Sequence, residues 1–258
     1  MHLKEFSVVS PTFRCRELAI LFVKSFEKFK PDGLNIHYVI VENSDDETYK
    51  EELQKLGNVT FVQNKDAPDG VSKPETGSTA NAQGIEIGLS YVTTEYVFIA
   101  HCDTAVVSEK FFSEIDKKIE EGNELVGTLK CVNRIRAYHI LGLMVKTQIA
   151  KSVSIHPTYS NGLMRWDAGD SLTDFCRKNN ISRYCFKNTS WDQELHEELP
   201  EPFKFFNVAT CIDDDGEPIF LHLSRGIPKS FGTYRKPDRV YLKDWISFMD
   251  KELGITLS

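Results

Sequence analysis

Residues 95–104 read Glu95-Tyr-Val-Phe-Ile-Ala-His-Cys-Asp-Thr104, an apolar run that ends abruptly in polar residues. Every position from Val97 to Ala100 is apolar, which predicts a short strand buried on both faces in the middle of a mostly parallel sheet. Open α/β sheets bind ligands beyond the carboxyl ends of their strands. Asp103 follows the end of this predicted strand and is therefore the first candidate functional residue.

Before this strand, short β-type runs alternate with segments of helical spacing. Connections of a few residues between such elements predict right-handed βαβ units and a parallel sheet. We therefore predict an α/β fold whose central sheet is mostly parallel and flanked by helices, with residues 1–107 forming a nucleotide-binding half. The predicted strands cover residues 6–10, 36–41, 59–62 and 97–100, and the predicted helices end near Phe29, Leu56 and Tyr91.

We predict that the second half of the chain, residues 108–258, forms a smaller part of the same domain, because no repeat or linker interrupts the sequence.

The small residues between Gly77 and Gly84 would allow either a ligand or the sheet to approach the helix that contains them. Arg134 and Arg136 could face a diphosphate or lie on a solvated surface. Residues 66–77 are predicted as a loop, residues 109–121, 171–178 and 241–253 as helices, and residues 125–129, 183–186, 205–211 and 218–223 as strands.

The composition is that of an ordinary soluble globular protein of 258 residues, with 41% hydrophobic and 27% charged residues. The 31 basic and 38 acidic residues leave a formal net charge of −7, which argues against nucleic acid as a partner. No apolar run approaches the roughly 20 residues of a membrane helix. Any association with a membrane is therefore expected to be peripheral.

The six cysteines are scattered and form no C-x-x-C pair, so neither a zinc ribbon nor a disulfide framework is indicated. Reduced thiols in a cytoplasmic protein are the simpler interpretation. The N-terminal residues lead directly into a predicted strand and lack the apolar core of a signal peptide.

Four blocks of the sequence occur in an order and spacing that resemble a known enzyme family. They are Val8-Val-Ser-Pro-Thr12 with Val39-Ile-Val-Glu42-Asn-Ser-Asp45; Gly77-x-x-x-Asn81-x-x-Gly84 ahead of Tyr96-Val-Phe-Ile-Ala-His-Cys-Asp103; Trp166-Asp-Ala-Gly-Asp170-Ser-Leu-Thr-Asp-Phe-Cys-Arg177; and Phe220-Leu-His222. Together they resemble nucleotide-sugar glycosyltransferases of the Rossmann-like GT-A fold, with a layout similar to family 2. The sequence departs from that pattern at Glu42, where an Asp is usual, and at His101, where the first Asp of a D-x-D motif would stand.

The resemblance implies a donor site for a nucleotide-diphosphate sugar, UDP-linked in our interpretation, and a Mn²⁺ or Mg²⁺ ion. Asp103 and His222 are the implied metal ligands. Taken without the family, Asp103 could cap a helix and His222 could be a satisfied core histidine. The nucleotide-sugar contacts implied by the resemblance are Pro11, Thr12, Glu42, Asp45, Asn81 and Asp103.

The resemblance also implies an inverting transfer of a single sugar to a hydroxyl of a saccharide or lipid-linked saccharide. Asp170 matches the position of the general base that such a transfer needs, and Asp167 is the second choice. The alternative interpretation of Asp170 is a helix N-cap. Trp166 and Asp167 are the candidate acceptor contacts, although a tryptophan more often packs in a core.

Two other classes of protein remain open on the sequence. A sugar nucleotidyltransferase resembles this first half, but such enzymes carry a Gly-rich loop after the first strand, and residues 11–15 contain no glycine. A carbohydrate-binding or nucleotide-sugar-binding protein without transferase activity is the other alternative, because His101 replaces the first Asp. Transfer to nucleic-acid bases is disfavoured by the net charge and by the absence of a stretch rich in Lys and Arg.

Overall fold

The computed structural model describes residues 2–68, 76–131, 135–161, 163–204, 209–224 and 241–257. The predicted loop residues 69–75, Arg134, and residues 205–208 of one predicted strand lie outside the described residues. The strands are β1 (Glu5–Thr12), β2 (Asn35–Glu42), β3 (Asn58–Gln63), β4 (Tyr96–Ala100), β5 (Thr104–Val106), β6 (Leu125–Gly127), β7 (Gly142–Lys146), β8 (Thr158–Ser160), β9 (Leu163–Trp166), β10 (Arg183–Cys185), β11 (Lys187–Asn188), β12 (Ala209–Ile212) and β13 (Pro218–His222). The helices are α1 (Arg16–Phe29), α2 (Lys50–Leu56), α3 (Gly77–Ser90), α4 (Lys110–Glu120), α5 (Thr147–Lys151), α6 (Asp170–Lys178), α7 (Gln193–Glu198), α8 (Glu201–Lys204) and α9 (Leu242–Lys251).

Within the described residues, the central sheet has seven strands in the order β10-β6-β7-β4-β1-β2-β3. Strand β1 pairs in parallel with β2 on one side and with β4 on the other, and β2 pairs in parallel with β3. The predicted α/β class with a mostly parallel sheet is therefore confirmed. All five residues of β4 are buried, as their continuous apolar character predicts.

Strand β7 was not predicted, because residues 140–146 fall in a region whose sequence suggested no clear element. The strand is inserted between β4 and β6 and runs antiparallel to both. Its side chains are buried from Gly142 to Val145. Apolar periodicity can identify such a run as buried, but it contains no information about the direction of the strand or about its partners.

A second sheet of four strands follows the order β11-β12-β13-β5, and its described pairs are antiparallel. Strand β5 begins at Thr104, only four residues after the end of β4 at Ala100. The chain therefore leaves the central sheet, passes through His101-Cys102-Asp103 and enters the second sheet. The sequence did not predict β5, since three residues are too few to show a period.

An aromatic cluster joins the two sheets below this crossing. The ring of Phe98 in β4 lies 5.4 Å from that of Phe111 in α4 and 5.7 Å from that of Phe220 in β13. Phe111 and Phe220 stack at 5.4 Å with an interplanar angle of 17°. Each buried aromatic side chain contributes about 1.5–3 kcal/mol. This packing holds the end of β13, and therefore His222, against the end of β4.

Helix α3 packs tightly on the central sheet through its glycines. A Cβ atom at Gly88 would lie 2.5 Å from Val9 Cγ1, and one at Gly84 would lie 2.8 Å from Pro11 Cβ. Gly84 and Gly88 are therefore needed for packing on β1. The Asn43 side chain also donates a hydrogen bond of 3.1 Å to the Ala80 carbonyl, which fastens the first turns of α3 to the end of β2.

None of the helices in the described ranges is long and apolar enough to cross a membrane.

Candidate functional site

The strand order places a topological switch point between β1 and β4. From β1 the chain proceeds to β2 and β3 on one side, and it then returns to form β4 on the other side of β1. Open α/β sheets bind ligands in the crevice beyond the carboxyl ends of the strands at such a point. The residues that follow these two strands are Phe13 and Arg14 after β1, and His101 to Asp103 after β4.

Three side chains suited to binding a cation meet at the end of β4. Asp103 Oδ1 lies 3.4 Å from His222 Nε2 and 3.9 Å from His101 Nδ1. Three potential ligand atoms, one from each residue, all lie within 4.8 Å of one another. Asp103 is nearly buried, with 7% of its side chain exposed, whereas the His101 side chain is 28% exposed.

The register of the second sheet brings His222 close to Asp103. His222 of β13 is paired with Thr104 of β5, and the Leu223 N–H donates a 2.8 Å hydrogen bond to the Asp103 carbonyl. The Thr104 hydroxyl donates to the His101 carbonyl at 2.7 Å, which fixes the turn between the two sheets. Asp103 and His222 are thus brought together as the sequence proposed, and His101 joins them.

His101 is held on its other side by α3. Its Nε2 lies 2.7 Å from Asn81 Nδ2, so the ring is oriented with Nδ1 towards Asp103. Burial lowers the pKa of His101 to about 4, and the nearby Asp103 partly opposes that effect. The ring is therefore neutral at physiological pH, which is the form that binds metal ions.

Cys102, between these residues, takes no part in the cluster. Its side chain is buried in an apolar cluster with Cys15 and Leu221. Burial raises the pKa of the Cys102 thiol well above its ordinary value, so the thiol stays protonated and unreactive.

The donor set fits a divalent transition-metal ion. One carboxylate and two imidazoles are ligands that Mn²⁺, Co²⁺ and Zn²⁺ accept, whereas Mg²⁺ prefers oxygen. Ligand atoms about 2.1 Å from a shared ion lie roughly 3.0–3.4 Å apart. The Asp103–His222 separation of 3.4 Å is within that range, whereas the Asp103–His101 separation of 3.9 Å is wider, so the His101 ring would move closer to Asp103 on binding an ion.

Glu42, the implied ribose or base contact, is fully buried and already well bonded. Its carboxylate accepts hydrogen bonds from the Arg14 N–H at 3.1 Å, from the Ser44 hydroxyl at 2.5 Å and from the Tyr49 hydroxyl. Burial raises the pKa of Glu42, and the Ser44 and Tyr49 hydrogen bonds oppose this rise. The contacts show Glu42 tying the end of β1 to the end of β2, and its role towards a nucleotide stays a prediction.

An exposed ion pair between Arg14 and Asp45 lies beside Glu42, and only Asp45 was among the residues that the sequence singled out. Arg14 adopts a left-handed backbone with φ of 46°, and its Nη2 lies 2.7 Å from Asp45 Oδ1. Both side chains are more than half exposed, unlike those of Pro11 and Thr12, which are buried. Arg14 is thus a cationic group at the switch point that the four sequence blocks did not include.

The predicted acceptor side lies where β9 leads into α6. Trp166, the last residue of β9, and Asp167 are both half-buried, whereas Asp170 is only 1% exposed. Asp170 Oδ2 accepts a 2.9 Å hydrogen bond from the Asp167 N–H, so the two residues form one turn. The charge of Asp167 also acts to raise the pKa of His101, so this turn lies near the group formed by His101, Asp103 and His222.

Gly169 holds this turn in place. Its φ of 82° lies in the left-handed region, and a Cβ there would be 2.2 Å from Ile140 Cγ2. Helix α6 begins at Asp170, with Gly169 rather than Asp170 at the N-cap position. The sequence alternative of Asp170 as an N-cap is therefore wrong, because the helix starts one residue earlier than that role requires.

Replacing Gly169 with alanine is expected to destabilise the protein and to displace the turn of Asp167 and Asp170. Left-handed strain costs about 1–2 kcal/mol, and overpacking against Ile140 adds roughly 1–3 kcal/mol. The matched control is Gly122→Ala, because Gly122 has a φ of 89° and a Cβ added there would meet no atom within 4 Å. Urea unfolding should give a lower midpoint for Gly169→Ala than for Gly122→Ala, and equal midpoints would contradict the Ile140 contact.

Arg177, near this turn, has a structural role. Arg177 of α6 donates hydrogen bonds to the carbonyl of Ile135 and, at 2.9 Å, to that of Arg136. Arg136 itself is exposed, with φ of 52°. Arg177, the last residue of the sequence block that begins at Trp166, therefore holds the segment of Ile135 and Arg136 against α6.

Comparison with known proteins finds a similar fold in a solved glycosyltransferase. No protein-family model matches the sequence, and no curated protein matches it. Mannosyltransferase PcManGT from Pyrobaculum calidifontis, solved in complex with GDP-Man and Mn²⁺, is similar with a TM-score of 0.52 and 12% identity, over 78% of this chain and 61% of that one. TarS of S. aureus gives a TM-score of 0.46 and 15% identity, over 78% of this chain and 41% of TarS.

A shorter form, TarS 1–349 in complex with UDP, gives a TM-score of 0.42 and 15% identity, over 60% of this chain and 50% of that one. The chain therefore spans between about two fifths and three fifths of the length of these proteins. At such low identity the likeness concerns the fold alone. The chain has a mixed α/β fold similar to that of glycosyltransferases.

Proposed function

We propose that this protein is a glycosyltransferase that moves a single sugar from a nucleotide-diphosphate sugar to a hydroxyl acceptor with inversion, assisted by a divalent metal ion. The observation that carries the proposal is the meeting of Asp103 with His222 beyond the end of β4, beside the switch point of a glycosyltransferase-like fold. The mannosyltransferase of the same fold was solved with GDP-Man and Mn²⁺, which supports both a nucleotide-sugar donor and a metal.

Asp103 and His222 are the proposed metal ligands. When bound there, Mn²⁺ or Mg²⁺ would offset the negative charge that develops on the leaving diphosphate. The Asp103 carbonyl accepts the Leu223 N–H, and the next residue, Thr104, pairs with His222 in the second sheet, so the backbone that carries the carboxylate is fixed by this pairing. Such preorganisation lowers the cost of charge stabilisation during the reaction.

The nucleoside is proposed to lie over the ends of β1 and β2. Pro11, Thr12 and Glu42 would form its buried floor, and Asp45 would stand at the rim beside Arg14. Asn81 is proposed to lie on the sugar-diphosphate side with Asp103. We propose that the donor is a UDP-linked sugar, and GDP-linked sugars are the donors to compare with it.

The acceptor is proposed to enter beside Trp166 and Asp167, and to be a saccharide or a lipid-linked saccharide. Asp170 is the proposed general base by resemblance, and Asp167, whose side chain is more exposed, is the second choice. A base must reach the acceptor hydroxyl directly or through one water. Replacing Asp170 and Asp167 one at a time distinguishes which of them is the general base.

A nucleotide-sugar screen tests the proposed function. Thermal unfolding would be followed with UDP, UDP-sugars and GDP-sugars, each with Mn²⁺ and with a chelator. A ligand at 100 times its Kd stabilises the fold by about 2.7 kcal/mol, so a metal-dependent rise in Tm is expected for at least one donor, followed by its slow hydrolysis. Absence of any shift would contradict the proposal, and binding with no hydrolysis or transfer would favour a non-enzymatic nucleotide-sugar-binding protein.

A further inference from the structure

By the family resemblance, His101 stands where a metal-binding carboxylate would be expected. The structure places His101 next to the other two candidate ligands, Asp103 and His222. His101 Nδ1 faces Asp103 Oδ1 at 3.9 Å, and the His101 and His222 rings are 6.0 Å apart at their centroids. The three residues form the compact group whose ligand atoms lie within 4.8 Å of each other.

We propose that His101 is itself a metal ligand, so that His101, Asp103 and His222 form a three-residue site that binds Mn²⁺ or another transition-metal ion before any nucleotide arrives. We propose further that Asn81 is the positioning residue that sets the ring of His101 for this role. The inference rests on the proposed function for its purpose, since the same ion would then receive the donor diphosphate. It can nevertheless be tested on the protein alone.

The number and chemistry of the ligands lead to this inference. A site with one protein carboxylate holds a hard ion weakly and depends on substrate phosphates and water for its remaining ligands. Two additional imidazoles supply enough protein ligands to hold an ion without substrate. Imidazole favours transition metals over Mg²⁺. The presence of His101 in place of an acidic residue should therefore change both the affinity of the site for metal ions and its preference among them.

Asn81 supports the ring from the side away from the ion. Metal-binding histidines commonly use their other ring nitrogen in a hydrogen bond that fixes the tautomer and the orientation. Here Nε2 of His101 lies 2.7 Å from the Asn81 amide, while Nδ1 faces Asp103. With Nδ1 bound to an ion, Nε2 would carry the proton and the amide would present its oxygen, an exchange that a rotated asparagine side chain permits.

The first experiment measures Mn²⁺ binding to the nucleotide-free protein from the electron paramagnetic resonance signal of free Mn²⁺. Wild type is expected to bind one ion, with excess Mg²⁺ competing poorly. His101→Ala should weaken Mn²⁺ binding by about 100-fold or more, exceeding the roughly 10–100-fold cost of removing an outer hydrogen-bond partner. His101→Asp should restore binding but reduce the preference for Mn²⁺ over Mg²⁺, because it replaces an imidazole with a carboxylate.

The second experiment concerns Asn81. Asn81→Ala should weaken Mn²⁺ binding by roughly 10–100-fold, and Asn81→Asp should recover it by again offering an acceptor to Nε2–H. Nitrogen NMR of the His101 ring in the Zn²⁺-loaded protein should report the Nε2–H tautomer in wild type and in Asn81→Asp. The matched control is Asn58→Ala, because Asn58 makes the same 2.7 Å contact with His37 near the N-terminal ends of β3 and β2.

Several outcomes would overturn the inference. Mn²⁺ binding that survives His101→Ala but is lost in Asp103→Ala would exclude His101 as a ligand, and binding that requires nucleotide would exclude the preformed site. An equal effect of Asn81→Ala and Asn58→Ala would exclude the positioning role. If His101→Ala does not fold by circular dichroism, His101→Gln replaces it with the same expected loss. Failure of every nucleotide-sugar to bind would refute the proposed function while these metal measurements stood unaffected.

Discussion

Asp103→Ala is expected to abolish metal-dependent binding of the nucleotide and to lower the transfer rate by at least about 10²–10³-fold. The carboxylate lies between two imidazoles, and removal of a single group that stabilises transition-state charge commonly costs that factor. Binding of UDP and GDP would be measured by calorimetry with and without Mn²⁺. Unchanged Mn²⁺-dependent affinity would rule out Asp103 as the metal ligand.

The loss must be separated from a loss of folding, because Asp103 is buried. Asp103→Asn keeps the shape of the side chain and should show the same loss of metal-dependent binding. Asp116 provides the matched control, since it is equally buried at 5% exposure but its carboxylate accepts hydrogen bonds from the N–H groups of His2 and Leu3. Asp116→Asn should lower stability and leave Mn²⁺-dependent nucleotide binding intact.

Asp170→Asn is expected to lose transfer by about 10²–10⁴-fold, the usual contribution of a general base, while donor binding stays near normal. The amide oxygen of asparagine can still accept the Asp167 N–H that Asp170 Oδ2 now accepts, so the turn should persist. Single-turnover transfer would be measured together with Kd for the donor. The same measurements on Asp167→Asn distinguish the two assignments.

The pattern of losses across this pair identifies the base. A loss of turnover in Asp170→Asn alone supports Asp170, whereas full turnover in that variant together with a loss in Asp167→Asn assigns the role to Asp167. A parallel fall in stability and turnover in either variant would indicate displacement of the turn, as expected for Gly169→Ala. Placing a reacting group wrongly by about 1 Å can cost roughly 10²-fold in rate.

Local apolar patterns were sufficient to predict the strands and helices of the first hundred residues. Strands β1 to β4 and helices α1 and α3 lie where apolar runs and spacing predicted them, because the side-chain period reflects which face of each element is buried. Helix α2 lies in the segment that was predicted as a polar helix ending near Leu56. The position of Asp103 just after β4 also followed from this pattern. Glu42 shows what such patterns leave out. The family resemblance implied a nucleotide contact there, and the structure adds Tyr49, Ser44 and Arg14 as hydrogen-bond partners of its carboxylate.

The amino-acid sequence by itself determined the α/β class, the buried β4 and the carboxylate beyond its end, because all three depend on residues close together in the chain. The family resemblance had already implied His222 as its companion, whereas only the tertiary structure decided how His222 reaches it and that His101 and Asn81 join the group. The pairing of β5 with β13 brought His222 to Asp103, and the packing of α3 on β1 brought Asn81 to His101. Both contacts join residues far apart in sequence, and register and packing between distant segments are set by the whole core, which no local pattern encodes.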